Sequence, residues 1–504
     1  MGPVRSRCSA AAAALGAAVM AILTAIMTAA PSMSATTNSG PQPNPVPPSS
    51  PVLEATWKVI PALARSNHTA TRLQDGTVLV AGGCIGSPET RNSLCVKRSD
   101  SAEIYDPFAA RWRAVRPMRL PRAGHTATLL PNGKVLVAGG FPARSDAPGD
   151  IARDLARFAE IYDPSSGEWQ PAGRPSGGIG PDQVDVFGEV PATPKQLRDD
   201  LSNHTATLLA GPRCRNPAHP RWCGKVLVVA SALSSLVPVA ALYDAASNRW
   251  SRTTTPARMA FHTAAVLADG RVLIVGGTPT GGAPTQTYDP DNASWLQSST
   301  PKTPPLWGTL TPLGNGKVLL AGGLGADRKP TEPEVFDPDR GAWAPAGRLA
   351  TPRLAQTATV LGDGSVLVVG GAAVADQGGT PGATAQFLSS AERYDPAANV
   401  WGAAPAMSRG RGGDTTTAPL VPINHLSAIT ATSLLDGRVL VVGGADSTAE
   451  ILTPPGTRAA ARPPDTKADG SLRAGRMVLV IPAALAGGVM VMVAGRGRRR
   501  RRRP

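Results

Sequence analysis

The chain has 504 residues and a formal net charge of +15 at pH 7. Seven of its arginines lie in the last nine residues and two lie near the N-terminus, which leaves about +6 for the rest. The clustered charge adjoins an apolar segment and suits anionic lipid. Because the remaining chain has no dense basic stripe with interleaved aromatic residues, the composition argues against nucleic-acid binding.

The N-terminus is typical of a secretory signal peptide. Two arginines precede an apolar run from Ala10 to Ala30, and small residues follow. This three-part pattern predicts a signal peptide over residues 1–35, with a retained N-terminal anchor as the alternative. Residues 36–53 are rich in proline, serine and asparagine, which predicts a linker without a core of its own.

A hairpin motif then recurs along the chain. Residues 125–140, HTATLLPNGKVLVAGG, combine two runs of strand-forming residues with an Asn-Gly turn and a closing glycine pair. Related segments begin at His68, His262, Trp307, Gln356 and Ile429, and a further copy begins at His204 and resumes at Gly224. That copy has Ala230 and Ser231 in place of the glycines. The repetition predicts seven structural units.

A second motif follows six of the hairpins. It is an aromatic-Asp pair, usually before proline, followed by a tryptophan. The aromatic and tryptophan residues are Tyr105 and Trp112, Tyr162 and Trp169, Tyr243 and Trp250, Tyr288 and Trp295, Phe336 and Trp343, and Tyr394 and Trp401. The seventh unit has no such tryptophan, but Trp57 precedes the first hairpin.

Together the two motifs predict a four-stranded unit. Strands a and b form the hairpin, strand c ends at the aromatic-Asp pair, and strand d carries the tryptophan. The strand containing Trp57 would complete the seventh unit, which would close a ring and remove exposed sheet edges. The glycine pair predicts close backbone passage, and the aspartate predicts a side-chain cap on its turn. The expected fold is therefore all-β, a seven-bladed propeller over residues 54–454.

The repeat resembles the kelch motif over about residues 52–455. The sequence of the repeat is most similar to that of propellers of bacterial surface proteins and of the galactose oxidase group. The second resemblance implies a copper-radical oxidase as one hypothesis. That site requires ligand tyrosines, one of them cross-linked to cysteine, and two histidines.

The tyrosines argue against the oxidase hypothesis. All five occupy the strand c position, where packing between blades is the simpler role. Four of the six histidines begin strand a, and only His219 and His425 lie elsewhere. We therefore expect no catalytic residues, no cofactor and no metal.

Four cysteines follow the signal peptide. They form two local pairs, Cys84 with Cys95 and Cys214 with Cys223. In an oxidising compartment this spacing predicts two disulfides that hold loops. A metal site using Cys214, His219 and Cys223 is the alternative.

The C-terminus has the pattern of a membrane anchor. Residues 477–495 contain no charged side chain and could span a bilayer as a helix, and the arginine-rich residues 496–504 follow at once. The pattern predicts a transmembrane helix, an extracellular propeller and a cytoplasmic tail, with residues 455–476 as a stalk. A processed surface-sorting signal is the alternative.

Most insertions fall where strand b leads to c, or where d leads to the next a. Antiparallel order places these connections on one side of the ring, here called the loop-bearing face. The insertions are Cys84–Ser101, Phe141–Phe158, Gln170–Asn203, Ala372–Ser390 and Gly402–Ser427. Candidate binding residues within them are Asp182, Asp185, Glu189, Arg409, Arg411, Asp414 and His425. Asp146, Asp150 and Asp154 suit either Ca²⁺ or a solvated helical turn.

The leading hypothesis from the sequence is a monomeric, membrane-anchored interaction module with an extracellular protein or glycan as its partner. Two alternatives stay open. One is an extracellular enzyme that acts on carbohydrate through a site in the loops, and the other is a purely structural envelope protein.

Overall fold

The computed structural model describes most of the propeller. Its described residues are 55–85, 97–142, 159–173, 204–215, 220–231, 238–277, 284–327, 329–373, 386–411, 429–444, 447–455 and 457. The predicted signal peptide, linker, transmembrane helix and arginine tail, and nearly all of the predicted stalk, lie outside these residues. Within these ranges, no helix has both the length and the apolar character that crossing a membrane requires.

The described residues form seven four-stranded antiparallel sheets, which are the blades. Each strand a contacts strand a of the blades before and after it, and strand a of blade 7 contacts that of blade 1. The strands a therefore form a closed inner ring around an axis. This confirms the predicted seven-bladed propeller.

The strands of the blades are four to eight residues long, and their bounds follow in the order a to d. Blade 1 contains Thr69–Arg72, Val78–Ala81, Ala102–Asp106 and Arg111–Val115; blade 2 contains Arg122–Leu129, Val135–Pro142, Glu160–Asp163 and Glu168–Pro171; blade 3 contains His204–Leu208, Lys225–Ser231, Pro238–Asp244 and Arg249–Arg252. Blade 4 contains Ala260–Val266, Val272–Gly277, Gln286–Asp289 and Ser294–Gln297; blade 5 contains Thr309–Pro312, Val318–Ala321, Glu334–Asp337 and Ala342–Pro345. Blade 6 contains Thr357–Val360, Val366–Val369, Ala391–Asp395 and Val400–Ala404; blade 7 contains Ile429–Ser433, Val439–Gly443, Thr448–Thr453 and, as strand d, Thr56–Pro61.

A few short elements lie outside the blades. Cys84–Ile85 pairs with Lys97–Arg98, Arg353–Leu354 pairs with Ala372–Ala373, and Pro212–Arg215 forms one 3₁₀ turn. The hydrophobic core lies between the blades rather than within any one of them. Each interface between neighbouring blades holds its own cluster of buried side chains from both sheets.

Strand d of blade 7 comes from the other end of the chain, as predicted. Thr56–Pro61 pairs antiparallel with Thr448–Thr453, and Trp57 lies opposite Leu452. The indole Nε1 of Trp57 donates to Pro405 O of blade 6 at 2.8 Å. The strand d tryptophans of blades 2 to 6 make the same bond to the preceding blade. Trp57 is therefore the missing tryptophan of the repeat.

The glycine pairs permit close contact at the end of strand b. Gly82 and Gly83 have φ angles of 64° and 100°. A Cβ on Gly82 would lie 2.6 Å from Cε1 of His125 in the next blade, and one on Gly83 would lie 2.6 Å from Ser66 O. Both contacts are too short for a side chain, so the prediction of tight backbone passage is confirmed.

The aromatic-Asp motif is also structural. Each strand c aromatic lies opposite the strand d tryptophan of its own blade, with ring centroids 4.9–5.1 Å apart. All five tyrosines are at most 1% exposed and belong to core clusters between blades. The following aspartate accepts the backbone N–H two residues later, for example Asp106 Oδ1 from Phe108 at 2.9 Å. These contacts confirm the predicted packing and capping roles.

Candidate functional site

Five of the seven candidate binding residues lie outside the described residues. They are Asp182, Asp185, Glu189, Asp414 and His425, and the candidate calcium ligands Asp146, Asp150 and Asp154 lie outside them as well. Arg409 is exposed in the connection after strand d of blade 6, and Arg411 follows two residues later. What the structure describes is the base of the loop-bearing face.

Arg411 does not lie on the surface where a loop-borne binding residue is expected. It is 1% exposed, and its Nε donates to Oε1 of Glu450 at 2.9 Å. Its Nη1 donates to Gly443 O and Thr448 O at 3.0 and 2.7 Å. Because the guanidinium is used for these internal contacts, Arg411 belongs to the framework beneath the loops.

The Arg411–Glu450 pair has three counterparts among the described blades. They are Arg65–Glu103 in blade 1, Arg122–Glu160 in blade 2 and Arg353–Glu392 in blade 6, with N···O distances of 3.0, 2.6 and 2.7 Å. In each blade the arginine also donates to the carbonyl of the first glycine of the pair. The pair thus joins the end of strand b to strand c.

Three of these glutamates also hold the connection that enters strand a. Glu160 accepts the N–H of Arg119 at 2.7 Å, Glu392 that of Ala350 at 2.7 Å, and Glu450 that of Ser408 at 2.8 Å. The buried charge pair therefore holds both the connection from strand b to strand c and the connection from strand d to the next strand a. The sequence contained the signal for this network, which is an arginine three residues before the histidine or glutamine that begins the hairpin motif and a glutamate two residues before the strand c aromatic.

The network changes in blades 3 to 5. The position of the glutamate is taken by Ala241 in blade 3 and by Gln286 in blade 4, whose Oε1 accepts the N–H of Ala257 at 3.0 Å. In blade 5, Glu334 accepts the N–H of Lys302 at 2.8 Å, and burial raises the pKa of Glu334. Blades 1, 2, 6 and 7 therefore share an anchoring that blade 4 replaces with a neutral contact and blade 5 with a glutamate whose nearby charge is Lys302.

The histidines at the start of strand a link neighbouring blades. Nε2 of His125 lies 3.0 Å from Thr69 Oγ1 of blade 1, and Nε2 of His68 lies 3.0 Å from Thr430 Oγ1 of blade 7. Nε2 of His204 lies 3.0 Å from Thr126 Oγ1 of blade 2, whereas Nε2 of His262 lies 3.1 Å from the carbonyl oxygen Val229 O of blade 3. In blade 6, Gln356 Nε2 donates to Ala321 O at 2.8 Å. The repeated histidine therefore connects neighbouring blades through hydrogen bonds.

Burial keeps His68, His125 and His262 neutral. It lowers the pKa of His68 to about 3 and that of His262 to about 4, with the nearby Arg65 charge adding to the effect at His68. Burial, together with the Arg122 charge, also holds the pKa of His125 well below its ordinary value of 6.5. Protonation of any of them requires the interface between blades to open.

We expect the propeller to lose stability as the pH falls from about 6.5 towards 4. In this range the unfolded histidines take up protons and the folded ones do not, so each contributes a slope of about 1.4 kcal/mol per pH unit. His262→Gln, which copies the native Gln356, should remove one such contribution. Urea unfolding of both proteins at pH 7 and pH 5 would measure it. An unchanged slope in the variant would contradict the assignment.

On the opposite face, the loop from Cys214 to Cys223 holds two blades together. Cys214 and Cys223 form a disulfide, as predicted. Trp222 beside it is 6% exposed, and its Nε1 donates to Asp291 Oδ1 of blade 4 at 2.7 Å. Because each of these two sulfurs is bonded to the other, the alternative metal site with His219 is wrong.

The other disulfide prediction, Cys84 with Cys95, stays a prediction because Cys95 lies outside the described residues.

Removing the Cys214–Cys223 disulfide should weaken the junction of blades 3 and 4. A loop of this length stabilises by roughly 2–3 kcal/mol through chain entropy, so the double Cys→Ser variant should lose about that much. Denaturant unfolding would measure the loss. Trp222→Phe is the control, since it keeps a ring and removes one hydrogen bond worth about 1 kcal/mol. A double variant as stable as the parent protein would show that the loop constrains nothing.

The fold and its repeated buried contacts define a seven-bladed β-propeller. No protein-family model matches the chain. Short stretches are similar to kelch proteins: 79 residues are 37% identical to Kelch-like protein 21 of Danio rerio, and 75 residues are 33% identical to an F-box/kelch-repeat protein of Arabidopsis thaliana. Each match covers 15% of this chain, but only 11% and 20% of those relatives. These matches show similarity to kelch proteins over short stretches, and the seven blades show a β-propeller.

A solved structure has a similar fold. It is described as a fungal alcohol oxidase of the AA5 family in complex with copper, and the two chains align with a TM-score of 0.52 over 79% of this chain and 76% of that one. At 15% sequence identity, the similarity shows the shared fold alone.

Proposed function

We propose that this propeller is a non-catalytic interaction module that binds an extracellular protein or glycan through its loop-bearing face. The observation that carries the proposal is the buried arginine–glutamate network at the base of that face. Four charge pairs hold the ends of strands b, the starts of strands c and the connections into strands a.

Such a network suits a binding surface. Ordering a long insertion when it binds a ligand costs conformational entropy. Where the two ends of an insertion are fixed by buried contacts, only the tip remains to be ordered, and a rigid scaffold that presents variable loops is a common arrangement for recognition. The network lies at both kinds of connection that carry the long insertions.

We further propose that the chain is held at the cell surface. The support is the apolar segment 477–495 followed by seven arginines, together with the signal-like N-terminus. In this arrangement the propeller is outside the cell, the stalk of residues 455–476 separates it from the membrane, and the arginine tail remains in the cytoplasm.

Binding would be tested with the full-length chain on intact cells, using a glycan array and proximity labelling. We expect saturable binding that is lost when residues 174–200 are replaced by a short Gly/Ser linker. Arg340→Ala, an exposed substitution on the opposite face, is the matched control and should leave binding unchanged. Equal binding by the trimmed and parent chains would reject the loop-bearing face. Turnover of a carbohydrate by the purified chain would support the enzymatic alternative instead.

A further inference from the structure

At the entrance to strand a, one residue has a left-handed backbone in each of the five blades where the structure describes this position. These residues are Asn67, Gly124, Phe261, Trp307 and Ala355, with φ between 49° and 67°. The conformation lets neighbouring blades bond at this level: Gly124 N donates to Asn67 O at 2.8 Å, and Ala355 N donates to Trp307 O at 3.2 Å. The inner ring of strands thus begins with a ring of residues that must accept positive φ.

Two of these residues are poorly suited to that backbone. Asparagine and glycine adopt positive φ readily, whereas a bulky side chain there costs about 1–3 kcal/mol. Gly124 in blade 2 shows that the position needs no side chain. Phe261 and Trp307 therefore occupy positions where glycine would adopt the same φ with less strain. A functional role for the two side chains would explain why aromatic residues are found there.

The two aromatic side chains lie together at the loop-bearing end of the axis. Their ring centroids are 5.2 Å apart with planes inclined at 57°, and both residues are half-buried. Trp307 also packs against Leu324, Leu354 and Phe387 of blades 5 and 6. Because strand a is the innermost strand of each blade, this pair lies near the axis and not at the outer rim.

The indole N–H of Trp307 has no acceptor within the described part of the chain. Among the strand d tryptophans, those of blades 2 to 7 donate to a backbone carbonyl, and Trp112 of blade 1 also has no acceptor within the described residues. A buried donor left without a partner costs about 1–3 kcal/mol, which a ligand oxygen would recover. The pair thus combines two apolar ring surfaces with one buried donor that has no partner among the described residues.

The surrounding charge favours a neutral ligand. All five described residues at this ring position are uncharged, and Arg353 beneath them is neutralised by Glu392. From these observations we infer that Phe261 and Trp307 form the floor of a site for a neutral glycan, whose apolar ring faces would pack on the aromatic side chains while a hydroxyl oxygen accepts the indole N–H. The inference rests on the proposed function and specifies its ligand class.

The test is binding of the full-length chain to an array of neutral and sulfated oligosaccharides, followed by titration of the best neutral glycan in buffer without sugar-based detergent. Phe261→Gly and Trp307→Gly should each weaken this binding at least about tenfold. Trp307→Phe, which keeps a ring and loses the donor, should cause a smaller loss. Ala355→Gly changes the same ring position in blade 6 and should bind like the parent chain.

Stability separates a binding role from a packing role. Phe261→Gly relieves an unfavourable φ, so it should keep or raise the melting temperature while it weakens glycan binding. A lower melting temperature with unchanged glycan binding would overturn the inference, and so would a chain that binds only sulfated glycans or none. A protein ligand bound equally by the parent chain and both glycine variants would overturn the inference while leaving the proposed interaction function in place.

Discussion

Replacing Glu160 by alanine is expected to lower the free energy of unfolding by about 3–5 kcal/mol. The side chains of Arg122 and Glu160 are 2% and 3% exposed, so the substitution leaves the guanidinium buried without its counter-charge. It also removes the acceptor for the N–H of Arg119. Urea unfolding at pH 7, followed by circular dichroism, would measure the change.

An exposed pair between blades 1 and 2 provides the control. Arg116 and Glu168 form an ion pair with side chains that are 71% and 39% exposed. Because solvent screens such a pair, Glu168→Ala should change the free energy of unfolding by less than about 1 kcal/mol. If the two variants lost similar amounts of stability, the buried network would be no more important than a surface contact, and its proposed role in fixing the loops would fail.

Deleting Thr56–Pro61 should have a still larger effect, because it removes strand d of blade 7. Six residues of strand pairing, each hydrogen bond worth about 1 kcal/mol, and the burial of Trp57 and Ile60 are lost together. Their sum, on the order of 5–10 kcal/mol, is comparable to the whole stability of a domain. We expect loss of cooperative thermal unfolding in calorimetry.

The deletion should also change the state of association. Strand Thr448–Thr453 would become an open sheet edge, and such edges pair with other chains. Size-exclusion chromatography should show oligomers or aggregates. A deletion limited to residues 36–53, the predicted linker, is the control and should give a monomeric, cooperatively unfolding protein. A stable monomer without Thr56–Pro61 would mean that the ring does not depend on this closure.

The ring could be predicted because its signal is repeated. The hairpin motif and the aromatic-Asp motif each mark a fixed register of the sheet, and a single absent tryptophan identified Trp57 as belonging to blade 7. The contacts behind each motif follow from the same periodicity. Repetition converts weak local preferences into a specific architecture, since every blade must pack against a similar neighbour.

The anchoring of the loops was not predicted, for a reason visible at Arg411. In blades 1, 2 and 6 the arginine lies three residues before the histidine or glutamine that begins the hairpin motif, but in blade 7 an insertion separates Arg411 from Ile429. The spacing that would have shown its structural role is broken there, so Arg411 resembled a loop charge. Its partner Glu450 lies across the blade and carries no local signal.

Two further features depend on tertiary contacts that no spacing encodes. The bond from Trp222 to Asp291 joins a loop of blade 3 to a turn of blade 4. The left-handed backbone at Phe261 and Trp307 results from bonding between neighbouring blades, and local preference would exclude it. Sequence reasoning therefore located the framework well and the candidate glycan site not at all.

The pairing of the first strand with the last also fixes the order of events during biosynthesis. Thr56 leaves the ribosome roughly 400 residues before its partner Thr453, and at about 5–20 residues per second this interval lasts some 20–80 s. Throughout that time the ring cannot close. For a chain exported as proposed, the delay would keep the nascent polypeptide unfolded enough to pass through a translocation channel. The strand pairing that closes the ring would therefore also postpone folding of the propeller until the chain has crossed the membrane.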